Sequence, residues 1–147
     1  MLRLAVRSLA LVLALFVATQ AAALTPWDQA KVTSIAKDLV TSVNGLRDAL
    51  RNSPQWTYPA GPRAVLYQIR DNLRWIESES ISLHAMLAQG EGMDATQNSY
   101  RRIQSLKRET EDLAQRAQAT AFTEPALAKA KAALDQLSAY YPPQDIQ

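Results

Sequence analysis

Between Arg63 and Gln89 the apolar residues recur at helical intervals. Leu66, Ile69, Leu73, Ile76, Leu83 and Leu87 fall on one seam, which only Ser80 interrupts. Steps of three and four residues put these side chains on one face of an α-helix, where a half-buried strand would alternate. Gly90 follows at the place of a left-handed C-cap, and Gly92 keeps the turn loose. A similar seam runs upstream through Val32, Ala36, Leu39, Val43, Leu46 and Leu50, widened by Ile35 and Ala49 and weakened at Gly45. Thr25 is the predicted N-cap of that helix, with Pro26 at its first position and Asp28 at its third. It ends before Ser53-Pro54.

Downstream, Asp94 with Gln97 three residues on predicts a capping box. The helix after it turns Ile103, Leu106, Thr110, Leu113 and Ala117 inward. Phe122 and Leu127 bracket Thr123 as a hydrophobic staple, and Pro125 sits in the first turn, where proline is tolerated. Leu127, Ala130, Leu134, Leu137 and Tyr141 form the last seam, and Pro142-Pro143 stops it. The pattern predicts helices over about 26–52, 63–89, 95–121 and 124–141. The expected fold is all-α: an antiparallel up-and-down four-helix bundle in a single domain, residues 24–147, with a shorter fourth helix.

The unequal lengths have a consequence. The fourth helix, with about 18 residues, spans roughly 27 Å, against roughly 40 Å for the others at about 27 residues each. It stops short of the end that holds Trp27, His84, Met86, Met93 and Tyr100. That end is either filled by Tyr140, Tyr141 and the tail, or it is an open pocket. The segment Ser53 to Pro62 carries three prolines and a glycine and reads as a linker. Its Trp56 and Tyr58 either fold back as a lid on the bundle or form an exposed binding loop.

A turn centred near Glu91-Gly92 predicts facing pairs of opposite charge: Arg74 with Glu109, Arg70 with Asp112, Glu77 with Lys107, and Glu79 with Arg101 or Arg102. The same register sets Leu83 against Tyr100, Ile76 against Leu106 and Leu66 against Ala117. Exposed ion pairs contribute well under ~1 kcal/mol each, so they select register more than they stabilise. They also give Arg101, Arg102, Lys107 and Arg108 a structural role in place of a phosphate or acidic-ligand site.

The first residues read as an export leader, 1–23. Arg3 and Arg7 are its positive start, Leu9 to Ala18 its short apolar run, and Ala21 and Ala23 its cleavage residues. The apolar run is about half of the roughly 20 residues that a membrane span requires. The expected mature chain begins at Leu24 in a bacterial periplasm, with no transmembrane segment after the leader is removed. The chain has 16 Lys+Arg against 14 Asp+Glu, and Arg3 and Arg7 leave with the leader, so the mature chain is formally neutral. Nucleic acids and anionic membrane surfaces, which select net basic faces, are not expected partners.

There are no cysteines. This excludes thiol catalysis, iron–sulfur clusters, covalent haem attachment and thiolate zinc sites, and it leaves the fold to burial alone. His84 is the single histidine. Ile81 stands three residues before it, where a di-iron bundle would place glutamate. The plan is similar to that of periplasmic b-type cytochromes, but the first helix has no methionine to pair with a histidine. The stretch from His84 to Asp94 gathers His84, Met86, Glu91 and Met93, a copper-like ligand set, yet residues two apart on a helix diverge. No nucleophile–base pair and no phosphate loop is present, so no enzyme activity and no cofactor are expected. Tyr67, Trp75 and Ile81 lie off the central seam, and bulky residues so placed mark contact surfaces. The expected function is that of an exported, non-enzymatic protein that binds a protein partner through Tyr67, Trp75 and Ile81 with Trp56 and Tyr58. The alternative is a small ligand or Cu/Zn at the open end, on His84, Met86, Glu91, Met93 and Tyr100.

Overall fold

The computed structural model describes residues 24–52, 63–117 and 124–143. The leader, the linker with Trp56 and Tyr58, the staple around Thr123 and the tail beyond Pro143 lie outside the described residues. Four helices follow in order: α1 (Gln29–Arg51), α2 (Arg63–Ala88), α3 (Met93–Ala117) and α4 (Glu124–Ser138). They form an antiparallel bundle in which α1 packs on α2 and α4, and α2 packs on α3. Among the described residues α3 and α4 share no comparable interface. With 15 residues against 25, α4 is the short helix. No described helix is long and apolar enough to cross a membrane.

The core follows the seams. Val32, Ala36, Leu39, Val43, Leu46 and Leu50 of α1 are buried, and so are Ile69, Leu73, Ile76, Leu83 and Leu87 of α2. Ser80 does not break the α2 seam. It is buried, and its hydroxyl donates to the Ile76 carbonyl at 2.6 Å, so the polar atom is satisfied inside its own helix. Asn72 is the exception, with a buried Nδ2 that has no hydrogen-bond partner. An orphan donor of this kind costs about 1–3 kcal/mol.

Helix ends differ from the expected ones where side chains found better partners. The α1 N-cap is Asp28, not Thr25, and its carboxylate accepts from the Lys31 amide at 3.0 Å. Thr25 instead donates its amide to the Ala139 carbonyl at 2.8 Å, which keeps Pro26 outside the helix. The start of α3 is Met93, and Asp94 lies in its first turn, where its charge favours the helix dipole. Gly92 rather than Asp94 closes that turn, accepting from the Thr96 amide and hydroxyl at 3.2 and 2.9 Å. At the end of α2 the Gly90 amide reaches Leu87 O at 3.0 Å and the Glu91 amide reaches Met86 O at 3.1 Å. With φ +88° at Gly90 this is a complete Schellman cap.

The cross-turn charges pair only in part. Glu79 meets Arg102 at 3.2 Å as the register predicts. Glu77 pairs with Arg47 of α1 instead of Lys107, because residues two apart on a helix point about 200° apart and cannot both face α3. Arg74 stays with Asp71 at 3.8 Å rather than crossing to Glu109. Lys107 and Asp112 take the partners Glu111 and Arg116 one turn along α3.

Gly45 and Gly90 give a matched test of this backbone. A Cβ would meet nothing within 4 Å at either site, so only conformation decides the outcome. Gly45→Ala, inside α1, should stabilise by about 0.5–1 kcal/mol. Gly90→Ala, at positive φ, should destabilise by about 1 kcal/mol or more. Chemical unfolding of both variants checks the sign, and equal effects would contradict the assigned cap.

Candidate functional site

Large apolar side chains left in water are few. Among the described residues Leu24, Tyr67, Trp75 and Ile81 are the exposed ones, and the last three all stand on α2. Tyr67 is 61% exposed, Ile81 50% and Trp75 47%. Their helical positions lie on the side away from Ile69, Ile76 and Leu83, spread over about a third of a turn. From Tyr67 to Ile81 the face runs roughly 21 Å along the axis. The Arg74 guanidinium sits over the Trp75 ring, 5.7 Å from its centroid, a cation–π contact. The core is complete without this face, so burial within the bundle does not account for it. Trp56 and Tyr58, assigned to the same surface from sequence, lie outside the described residues.

At the end of the bundle near His84 the described residues pack aromatic rings together. Helix α4 stops at Ser138, three residues before the expected end, and its hydroxyl donates to Asp135 O at 2.6 Å. The unwound residues that follow turn both Tyr140 and Tyr141 inward. Tyr141 is 1% exposed and stacks on Tyr100, with centroids 4.2 Å apart and rings 9° from parallel. Trp27 meets both tyrosines edge-on, at 6.4 Å to Tyr140 and 5.6 Å to Tyr141. Tyr141 shares a hydrogen bond of 2.8 Å with the Thr96 hydroxyl, and the Tyr100 hydroxyl accepts from Gln104 at 2.9 Å. Gln29 binds the turn below them, donating to Leu87 O at 2.7 Å and Glu91 O at 3.0 Å.

The residues proposed for ligand capture therefore have other surroundings. Tyr100 is spent on the stack, and Met93 packs against the core. His84 and Met86 are half-buried on α2, and Glu91 gives its backbone carbonyl to Gln29. Among the described residues no three His, Asp or Glu side chains converge as a metal would require. Of the two arrangements expected for that end, the structure shows Tyr140 and Tyr141 turned inward.

A cleft appears elsewhere, which the seam pattern did not reveal. It lies between α3 and α4, toward the end where α1 finishes and α4 begins, and Leu46, Leu50, Ile69, Leu73, Leu127 and Leu134 form much of its wall. A water-sized sphere can move its centre through about 70 Å³ of it. The signal in the sequence is the small side chains that line it, Ala130 of α4 and Ala114 of α3.

Comparison with protein-family models, with curated proteins and with solved structures finds no match to this chain. Geometry and chemistry carry the functional reading.

The aromatic cap predicts a pH effect. Burial raises the Tyr141 phenol above its ordinary value, Tyr100 beside it adds to this, and the Thr96 hydrogen bond offsets part. Burial also raises Tyr100, with Asp135 adding and the Gln104 bond opposing. An unfolded tyrosine ionises near pH ~10 while the folded one stays protonated, so the unfolded state holds fewer protons and stability falls as pH rises past that point. At neutral pH Tyr141→Phe should cost about 1 kcal/mol for the lost hydrogen bond. The difference between the two proteins should shrink above pH ~10, because phenylalanine does not titrate. Urea unfolding from pH ~7 to ~11 checks this, and a constant difference would mean that the hydroxyl is not buried.

Proposed function

We propose that this chain is an exported, non-enzymatic binding protein that holds a protein partner on the outer face of α2. The observation that carries the reading is the concentration of exposed large apolar side chains at Tyr67, Trp75 and Ile81. Tryptophan, tyrosine and arginine dominate the binding energy of protein interfaces because they combine large apolar area with a polar handle. Trp75 with Arg74 across its ring, and Tyr67 two turns away, supply that combination on one rigid helix. Rigidity matters, since a side chain already fixed on a helix loses little entropy on binding. Export rests on the leader pattern of the first residues, and the non-enzymatic reading on the absence from the sequence of any nucleophile–base pairing. The bundle is the scaffold, and α2 is its working surface.

The face can be tested in cells without disturbing its anchors. A photo-crosslinking residue at Ser82, exposed beside the patch, should give a discrete protein adduct in the periplasmic fraction, while the same residue at Lys37 on α1 should not. The adduct should vanish in the Tyr67→Ala, Trp75→Ala double variant, and Trp75→Ala alone should cost less than about 1.5 kcal/mol, against about 3–5 for a core aromatic. The processed chain in that fraction should begin at Leu24. No adduct, an adduct that survives the double variant, or a core-sized stability loss at Trp75 would each overturn the reading.

A further inference from the structure

The cleft between α3 and α4 has a division of chemistry that packing alone does not require. Its walls from α1 and α2 are entirely apolar, formed by residues such as Val43, Leu46, Ile69 and Ile76, and α4 adds Leu127 and Ala130. Among the described residues every polar group that touches it comes from the α3/α4 rim: Lys107, Thr110, Glu111 and Lys131. Thr110 is committed, its hydroxyl donating to Leu106 O at 2.6 Å. The remaining three are charged, and they are unevenly matched. Glu111 takes Lys107 at 3.3 Å with one carboxylate oxygen and Lys131 at 3.7 Å with the other. Two ammonium groups share one carboxylate, so the rim keeps one positive charge in excess. Each ammonium has three donors, and one contact to Glu111 leaves donors on both for a second anion between them.

The dimensions narrow the ligand further. From Val43 to Leu50 on α1, and from Ile69 to Ile76 on α2, the apolar wall is roughly 10 Å long. The free volume of about 70 Å³ is about half the size of an engineered cavity of 150 Å³ that admits benzene. A space of that size takes only the first few carbons of an alkyl chain, and the rest of the chain requires the rim to part. Because α3 and α4 share no extensive interface among the described residues, the rim can part as a chain needs without breaking a packed seam.

We propose that this cleft binds a linear aliphatic monocarboxylate, with the chain between α1, α2 and α4 and the carboxylate held by Lys107 and Lys131. The proposal is independent of the α2 face, which lies on another side of the bundle, so either can fail alone. The chain gains from leaving water in proportion to its buried area, and the head completes the charge balance of the rim. Glu111 then orients the two ammonium groups rather than contacting the ligand.

Isothermal titration of the mature protein with sodium decanoate, below its micelle concentration, tests this directly. One decanoate should bind per chain and raise the melting temperature, whereas decylamine, with the same chain and a cationic head, should do neither. Replacing Lys107→Gln and Lys131→Gln together should weaken decanoate by about tenfold or more, the loss of charge-assisted hydrogen bonds. Lys37→Gln, an equal loss of charge on outer α1, should leave it unchanged. Ala130→Leu should fill the cleft and abolish binding, and Ala114→Leu on the α3 side serves if the first variant does not fold. No binding of decanoate, equal binding of decylamine, or binding that survives the lysine or cleft-filling variants would overturn the proposal.

Discussion

Tyr141 decides how the fourth helix sits. It is among the largest fully buried side chains, although it stands beyond the end of α4. Its ring lies flat on Tyr100 of α3, its edge contact is Trp27 before α1, and its hydroxyl bonds Thr96. The neighbouring amide of Thr25 closes onto Ala139 O. One residue thus ties the start of α1, the first turns of α3 and the end of α4. Offset and edge-on aromatic contacts are directional, so this cap fixes the orientation of α4 as well as its position. A helix of 15 residues fastened at its C-terminal end and packed along α1 has little left with which to meet α3. Lys131 pairs with Glu111 across that seam at 3.7 Å.

The same constraint connects the two surfaces that stand out. Where α4 is tied, aromatic rings fill the end of the bundle. Where Ala130 faces α3, a concave apolar space remains, and among the described residues its charges stand only at the rim. The outer face of α2 is different in kind, because Tyr67, Trp75 and Ile81 stand on a convex surface. A convex row of large side chains can enter pockets on another protein but cannot surround a small molecule. A narrow cleft can do the reverse. Shape therefore assigns the two surfaces to different kinds of partner before any specific contact is considered.

Much of this was legible in the residues. The seams of α1 and α2 read directly as core, because one period of burial leaves a strict pattern at Val32, Leu39, Val43 or at Ile69, Leu73, Ile76. Gly90 was legible for a steric reason, since positive φ selects glycine. The exposed α2 face was legible by the same periodicity, read in the negative. The N-cap was less so. Thr25 and Asp28 are both good caps, and what separates them is the bond from Thr25 to Ala139, a contact between the two ends of the described chain. The charge pairs followed helical geometry rather than the turn register alone, as Glu77 and Glu79 show by facing opposite neighbours. The cleft was hidden because alanine at Ala130 fits an inward seam whether or not a partner helix closes on it. Periodicity reports which way a residue faces, not how far away the next helix lies.

The most direct measurement is amide hydrogen exchange on Tyr141→Ala beside the unaltered protein. If Tyr141 anchors α4, the variant should lose protection first across Ala130 to Leu137, as one cooperative unit, while α2 and α3 keep theirs through the interface that they share. Equal loss of protection in all four helices would mean that α4 is held by the general core. No loss at α4 would contradict the anchoring role outright.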